Sequence, residues 1–395
     1  MMNRLFVASL TIFCLLSVMP YPCEAQQDSV IYACVKSDGT MRIVPAPDSC
    51  RRSEALLSWN AKGPPGPSLP PWLGFEVNCD QSESINDALA HQSESITISV
   101  RGTCSEEVFI NRDHVILTAI NPNNPPTLTH EGTPLFVSGA RDVSLSNLKI
   151  TGSPSYVGVI ASNSQVTLES CEIWNKSIGV EMGGLSAVDI RNSQIHDNGG
   201  GISIGAGGVL TIYDTHVDGN NSTGIGVTAS TLHTVRSTIS NNGLGIELGH
   251  GAAVILEHSD VSWNSPGEGI GAGGSSVNLT ESTLTYNAGA GIWGESTFVL
   301  LGGGNTISNN SGGGIALSAG SSLAYRAYTG ANVIKDNEGC GLTMIVSSFA
   351  IGKGITIEET GSCAISCDTD AAICDPTYVK GAIGGCGDKC PTQQP

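Results

Sequence analysis

The sequence has few charged residues, few aromatic residues and no long apolar run. Lysine and arginine (18) are half as numerous as aspartate and glutamate (36), and the net charge of −18 argues against nucleic acid and anionic membranes as partners. The longest apolar stretch, residues 5–19, is too short to span a bilayer, so we predict no membrane span. Only 14% of residues are charged and 50 are glycine, which favours a regular β architecture with many tight turns.

The first 25 residues have the three parts of a secretory signal. Arg4 supplies a positive start, residues 5–19 form the apolar core, and residues 23–25 form a small-residue cleavage site. An uncleaved anchor is the alternative. We predict a cleaved signal peptide over residues 1–25 and therefore a secreted protein. Its predicted location is extracellular or on the cell surface, with the periplasm as the alternative.

Cysteine pairing is the default in an exported chain. Two of the 13 cysteines lie in the signal, and the remaining number is odd, so at least one thiol is unpaired. We predict the pairs Cys34–Cys50 and Cys79–Cys104. A disulfide-bonded end cap over residues 361–395, with a metal site as the alternative, is predicted from six further cysteines: Cys340, Cys363, Cys367, Cys374, Cys386 and Cys390.

Residues 26–61 have the pattern of a small β module. A strand over residues 30–35, a turn over 36–39 and a hairpin partner over 41–44 are predicted. This segment, with residues 57–60 and the following Gly63-Pro64-Pro65-Gly66-Pro67, resembles a module found ahead of collagen-like repeats in secreted bacterial proteins. Two such triplets are too few for a triple helix, so we predict a stiff polyproline linker over residues 62–72.

A short helix precedes the main repeat. Ser84 and Asp87 approximate a capping box, and Ile85, Ala88 and Leu89 share one helical face. This helix is predicted to plug one end of a solenoid, with strands following over residues 96–100 and 108–110.

Four columns of residues then repeat together about every 22 residues, and such agreement indicates stacked coils. Each coil has a small polar residue, an apolar residue two positions later, an asparagine three positions after that, and a glycine before another apolar residue. The polar column is Cys171, Ser193, Thr215, Ser237, Ser259, Ser282, Asn305, Asn332; the apolar column is Ile173, Ile195, Val217, Ile239, Val261, Leu284, Ile307, Ile334; the asparagine column is Asn198, Asn220, Asn242, Asn264, Asn287, Asn310, Asn337.

Stacking at about 4.8 Å per coil places like residues over like. We predict internal ladders of small polar residues and of asparagines, glycines that keep an outer face flat, and Asn and Gly in left-handed corner positions. The recurring phrase I-x-x-N-x-G-x-G-I resembles the right-handed parallel β-helix family of pectate lyases over residues 96–350. The resemblance implies an all-β fold with this β-helix over residues 73–360; a leucine-rich horseshoe, the alternative, lacks its leucine–asparagine signature here.

Catalysis in that family, as the resemblance implies, uses clustered aspartates that hold calcium beside an arginine base, or close aspartates with a histidine. Gly249-His250-Gly251 matches a fragment of the polygalacturonase signature without its companions, so we interpret His250 as a turn residue. His196-Asp197 matches a piece of an alginate epimerase motif without the preceding Asp-Pro. His196 and Asp218 share a column one coil apart and are predicted to touch, as a surface ion pair or an acid–base pair.

Other columns indicate structural roles. Cys171 occupies the polar column and is predicted to be the free, buried thiol. Glu169 lies one coil below Arg191, and alternating charges predict lateral pairing between coils in the column Asp214, Arg236, His258, Glu281.

Short turns argue against a catalytic cleft, because loops carry function on such scaffolds. The longest excursions are residues 121–134 and the 27-residue step around residues 326–332, and neither brings a cluster of acids. We therefore predict no catalytic residues, no metal ligands and no cofactor. Calcium is compatible with the acidic charge but has no site specified by the sequence.

Three aromatic residues are the predicted ligand contacts. Trp263 and Tyr286 share one column, and Trp293 follows on the next strand, in a chain with only 5% aromatics. Flat aromatic faces suit sugar rings, and Asn264 and Asn287 supply hydrogen-bonding groups nearby. The alternative is that these rings merely cover a turn.

The leading functional hypothesis is a non-catalytic, exported β-helix that acts as a surface or matrix module and contacts a polysaccharide or surface glycan. An enzyme on polysaccharide (calcium-dependent lyase, hydrolase or epimerase) is the first alternative, and a structural spacer without ligand is the second.

Overall fold

The computed structural model describes residues 30–36, 40–60, 72–205, 207–325, 330–345, 348–349, 354–367 and 379–384. The predicted signal peptide lies outside these residues, as does the predicted linker apart from Trp72. Cys374, Cys386 and Cys390 are also outside them. The chain divides into two compact units, residues 1–68 and residues 69–395.

The N-terminal unit contains a three-stranded antiparallel sheet. Val30–Lys36 is the central strand, flanked by Met41–Val44 and Glu54–Asn60, with the 3₁₀ turn Pro47–Ser49 between the flanking strands. The predicted hairpin and the Cys34–Cys50 disulfide are both confirmed. The third strand was not predicted.

The larger unit is a solenoid of parallel coils with three faces, which confirms the predicted all-β solenoid. Face A is a 13-stranded sheet; faces B and C are the two halves of a 24-stranded sheet whose last two strands, Ile355–Cys367 and Val379–Gly384, reach both halves. Face A consists of Leu73–Asn78, Ile96–Arg101, Val115–Ala119, Val143–Ser146, Gln165–Glu169, Ala187–Arg191, Val209–Tyr213, Thr231–Val235, Ala253–Glu257, Ser276–Thr280, Phe298–Gly303, Ser322–Tyr325 and Ser348–Phe349.

Each coil passes from face A to a short strand of face B and then, around a sharp corner, to face C. Face B consists of Thr103–Cys104, Thr127–His130, Lys149–Gly152, Glu172–Trp174, Gln194–His196, His216–Asp218, Thr238–Ser240, Asp260–Ser262, Thr283–Thr285, Thr306–Ser308 and Asn332–Lys335. Face C consists of Val108–Ile110, Leu135–Ser138, Val159–Ser162, Ile178–Gly183, Gly200–Ile204, Thr223–Thr228, Leu244–Gly249, Ile270–Gly273, Ile292–Glu295, Ile315–Ser318 and Leu342–Met344.

The interior columns are confirmed. Every member of the predicted apolar column is at most 1% exposed, and neighbouring coils pair in the predicted register, as Val217 with Ile239 and Ile239 with Val261. Complete burial of one such side chain contributes about 1.5–3 kcal/mol. The polar column forms the predicted ladder, in which each hydroxyl receives a backbone N–H from the coil below, as Ser193 does from Cys171 at 3.0 Å.

The asparagine ladder runs through the corner between faces B and C. Each side-chain oxygen accepts the backbone N–H and the Nδ2–H of the asparagine one coil below; Asn242 Oδ1, for example, lies 3.1 and 2.9 Å from these atoms of Asn220. The ladder ends at Glu359, whose carboxylate accepts two bonds from Asn337, and burial raises the pKa of this carboxyl group. At the other end the backbone N–H of buried Lys176 donates to Asn198 Oδ1.

The glycines before the face C strands have a different role from the predicted one. We expected them to flatten an outer face, but a Cβ on Gly201 would lie 2.3 Å from the carbonyl oxygen of Gly224 and 2.7 Å from Val217. The glycines are therefore required by the close approach of the next coil and of the interior.

The prediction of Asn and Gly in left-handed corner positions is confirmed at half of the positions of the corner column between faces B and C. The ladder asparagines do not have positive φ; the residue immediately before each one does. This corner column is Asn175, Asp197, Gly219, Asn241, Trp263, Tyr286, Asn309 and Asp336, with φ between 51° and 65°.

The N-terminal end of the solenoid has the predicted helix. It spans Ile85–Leu89, follows the 3₁₀ turn Cys79–Gln81, and its cap Ser84 accepts the N–H of Asp87, which confirms the capping prediction. Ile85 and Ala88 are buried in the core, and the Cys79–Cys104 disulfide is confirmed. The excursion over residues 121–134 is not simply a long turn, because it contains the face B strand Thr127–His130.

At the other end, Cys340 pairs with Cys363, and Cys367 is also in a disulfide. Parallel pairing continues through residues 355–367 and 379–384, past residue 360 and into the segment predicted as the cap. The disulfides fit an extracellular or periplasmic location. Among the helices of the described residues, none has both the length and the apolar character of a membrane span.

Cys171 is the free thiol among the described cysteines, as predicted, and burial raises its pKa to about 12. We expect thiol titration without reductant to find no reactive group in the folded protein and one group after unfolding, because the thiolate is the reactive form. Cys171→Ser, which matches its column, provides the control and should abolish the titratable group. Peptide mapping that finds Cys171 in a disulfide would contradict this result.

Candidate functional site

An exposed aromatic pair lies on the corner between faces B and C. Trp263 follows the strand Asp260–Ser262, and Tyr286 follows Thr283–Thr285 one coil above. Their rings are nearly parallel, at 7°, with centroids 4.3 Å apart, and they are 56% and 47% exposed. We call Trp263 and Tyr286 the platform; the predicted shared column is confirmed.

The backbone of the platform is strained. Both residues have φ of 58°, in the left-handed region that bulky side chains rarely adopt. In other coils this position holds Asn, Asp or Gly, which tolerate that backbone better. Left-handed backbone costs an ordinary residue about 1–2 kcal/mol. The fold therefore accepts large rings where a small residue would be easier to accommodate.

Trp293 lies apart from the platform. It stands on the strand Ile292–Glu295 of face C, beyond the corner, and is 40% exposed. Among the described aromatic residues, ring contact joins Trp263 to Tyr286 but does not include Trp293. The structure thus brings two of the three predicted contacts together.

The expected hydrogen-bonding role of Asn264 and Asn287 is wrong. Both are buried, and their amide groups are used within the ladder: Asn264 Nδ2 donates to Asn287 Oδ1 at 2.9 Å, and Asn287 Nδ2 donates to Asn310 Oδ1 at 2.9 Å. The polar groups that border the platform are instead those of Asn241 below and Asn309 above, in the corner column.

A second cluster surrounds His196, further along the same corner. His196 and Asp218 are in register on adjacent coils, as predicted. The imidazole of His196, however, is held by two other carboxylates rather than by Asp218. His196 Nδ1 lies 2.8 Å from Asp197 Oδ2, and Nε2 lies 3.4 Å from Glu172 Oε1. Because both ring nitrogens face carboxylates of the protein, the arrangement favours a structural ion pair over an acid–base pair.

Sequence reasoning missed Trp174. Its indole is parallel to the His196 ring, at 4° with centroids 6.2 Å apart. Trp174 stands one coil below His196 in the same column, so the 22-residue step was a signal that could have identified it.

The charged column on the corner between faces A and B is structural, as predicted. Arg236 makes two hydrogen bonds to Asp214, at 2.8 and 2.7 Å, which lower the pKa of that carboxyl group, and His258 lies 3.0 Å from Glu281. Arg191 is in register with Glu169, but its ion pair is with Asp189.

The remaining candidates are a histidine in a turn and a cleft beside the excursion. His250 is an exposed turn residue with φ of 57°, as interpreted. A cleft of about 580 Å³ lies beside the excursion and includes His130, Glu131 and Ser153. Among the described residues, no group of three or more His, Cys, Asp or Glu side chains is placed to hold a metal.

Comparisons identify the family. A family model described as the right-handed β-helix region matches residues 133–270 and 234–373. No curated protein sequence matches the chain.

Several solved structures are similar. The alginate lyase from Paenibacillus sp. str. FPU-7 is 15% identical over 65% of this chain and 99% of the lyase, with a TM-score of 0.45. The A-module of the Azotobacter vinelandii mannuronan C-5 epimerase AlgE4 is 14% identical over 78% of this chain and 92% of the module, with a TM-score of 0.48. Tailspike protein 3 of Bacteriophage CBA120 is 12% identical over 78% of this chain and 59% of the tailspike, with a TM-score of 0.48.

Identities and TM-scores this low carry no argument about what the chain does. The two matches of the family model overlap and together span residues 133–373, which is more than half of the 395-residue chain. The chain belongs to the right-handed β-helix family.

Proposed function

We propose that the protein is an exported, non-catalytic β-helix module that binds a glycan on the platform. The observation that carries this proposal is the strained backbone of Trp263 and Tyr286 beneath exposed, stacked rings. A positive φ recurs along the solenoid, as at Arg236 and His258 of the structural column; the platform differs because two large aromatic rings occupy a corner column that otherwise holds Asn, Asp or Gly. A ring pair needed only to cover the turn would not require a costly backbone where Asn or Gly serves in other coils.

The chemistry of the platform suits sugar. An indole and a phenol ring present flat apolar faces that pack against the C–H faces of a pyranose. Asn241 and Asn309 stand at the two ends of the pair, and although each Nδ2 donates to the preceding serine, the amide oxygen and the second N–H of each can meet sugar hydroxyls. Trp293 on face C is proposed as an outer contact.

The test is a double variant in which the platform takes the residue of its own column. Trp263→Asn with Tyr286→Asn should lower affinity for the bound glycan by at least about tenfold, or ~1.4 kcal/mol. The free energy of unfolding should change by less than about 1 kcal/mol, because loss of the ring stack and relief of left-handed strain have opposite signs. Trp293→Ala should weaken binding several-fold.

The measurement is a glycan array followed by calorimetry, with lyase and reducing-sugar assays on a uronate panel in parallel. Phe298→Ser is the matched control: Phe298 is 44% exposed on face A and has serine in register above and below it. It should bind as the wild type does. Full glycan affinity in the double variant would contradict the proposed binding role of the platform. Cleavage of any glycan would show that the protein is an enzyme rather than a non-catalytic binding module.

A further inference from the structure

The platform is one end of a longer strip along the corner. The strip consists of the last outward residue of each face B strand and the corner residue after it, from Trp174-Asn175 to Ser308-Asn309. Trp174 and His196 form a parallel ring pair in its first two coils, and the platform occupies the fifth and sixth. The third and fourth coils hold only small residues: Asp218, Gly219, Ser240 and Asn241.

The two ring pairs lie in the two neighbouring columns of the strip: Trp174 and His196 end face B strands, and the platform occupies the corner residue that follows such a strand. Four coil steps separate Trp174 from the coil of Trp263, which is about 19 Å at ~4.8 Å per coil. Because small side chains lie between the pairs, a linear polymer can follow the edge without obstruction.

The charge of the strip restricts the polymer. From Glu172 to Asn309, the outward face B positions and the corner residues include four carboxylates and no lysine or arginine. One lysine lies just beyond each end of these columns: Lys149, one coil below, pairs with Glu172 at 3.4 Å, and Lys335, one coil above, is in register with Ser308. Asp197 and Asp218 belong to the strip, and Glu172 and Asp260 stand beside it, at the first outward position of their face B strands.

We infer that the strip binds a linear, uncharged glycan parallel to the solenoid axis, with Trp174–His196 as a second subsite. The inference rests on the proposed function of the platform. Carboxylates accept hydrogen bonds from sugar hydroxyls, and charge-assisted bonds of this kind are strong. The same groups repel uronate or sulfate, because the strip holds no lysine or arginine to pair with an anion and both ring nitrogens of His196 already face carboxylates.

Two subsites on one rigid face make affinity depend on ligand length. Once an oligosaccharide reaches both ring pairs, binding at the second is intramolecular, so affinity rises without any change at the first. Shorter oligosaccharides occupy the more exposed platform alone.

The probes are cello-, manno- and N-acetylated chito-oligosaccharides, each from disaccharide to octasaccharide, measured by calorimetry. At least one series should show a rise of about tenfold or more between oligomers that occupy the platform alone and those that reach both pairs. In Trp174→Thr, which matches Thr151 and Thr285 of its own column, this rise should disappear while the affinity of short oligomers stays unchanged. Phe298→Ser should keep both the rise with oligomer length and the affinity for short oligomers.

Oligogalacturonate of equal length should bind at least about tenfold more weakly than the neutral series at low salt, and the difference should narrow as salt screens the carboxylates. An unchanged rise in Trp174→Thr, or equal binding of oligogalacturonate, would overturn the strip while leaving the platform in place. Loss of short-oligomer binding in the Trp263→Asn and Tyr286→Asn variant supports the platform independently. Binding of none of the three neutral series would overturn the strip, and the platform is overturned as well if the glycan array also finds no bound glycan.

Discussion

Ile239→Asp is expected to prevent stable folding of the solenoid. Ile239 is fully buried between Val217 of the coil below and Val261 of the coil above. The substitution removes a buried apolar side chain and places a carboxyl group where its neighbours are apolar. The combined cost should exceed about 5 kcal/mol, a large part of the 5–15 kcal/mol that stabilises a typical protein. Far-ultraviolet circular dichroism and denaturant unfolding measure the loss of β structure.

Ile239→Val is the matched control, because valine already occupies this column one coil above and one coil below. It removes one methylene group and should cost about 0.5–1.5 kcal/mol without loss of the β spectrum. A folded Ile239→Asp protein with unchanged unfolding would show that the column does not face the interior, and would contradict the stacking itself.

The solenoid was predictable because its periodicity leaves the stacking little freedom. One step of about 22 residues places Ile195, Val217 and Ile239 over one another, and this alone indicates parallel coils and an interior. The hydroxyl and asparagine ladders follow from the same step. Parallel pairing repeats the same neighbours in coil after coil. A wrong register assigned to one coil would therefore disagree with the residues of the next coil.

The site was predictable only in part, because it depends on backbone and on side-chain direction. The shared column of Trp263 and Tyr286 follows from their spacing in the sequence. Their left-handed backbone could be seen only in the structure, because the residue with positive φ is the one before each ladder asparagine. His196 was expected to face Asp218 across coils, yet the adjacent Asp197 reaches its ring nitrogen. The role of Asn264 was mistaken because the ladder uses its amide.

The asparagine ladder should be a major stabilising feature, and Asn242→Ala tests it. The Asn242 side chain accepts two bonds from Asn220 and donates to the carbonyl oxygen of Val217 at 3.0 Å and to Asn264 Oδ1 at 3.2 Å. Alanine leaves the buried backbone N–H of Asn220 and the Val217 carbonyl without these partners. Each of these two unsatisfied groups costs about 1–3 kcal/mol, so the free energy of unfolding should fall by roughly 2–6 kcal/mol. Asn241→Gly, the neighbouring corner position at which Gly219 stands one coil below, should change it by less than about 1 kcal/mol. Denaturant unfolding of both variants measures the difference, and equal stability of the two would show that the ladder contributes no more than its exposed neighbour.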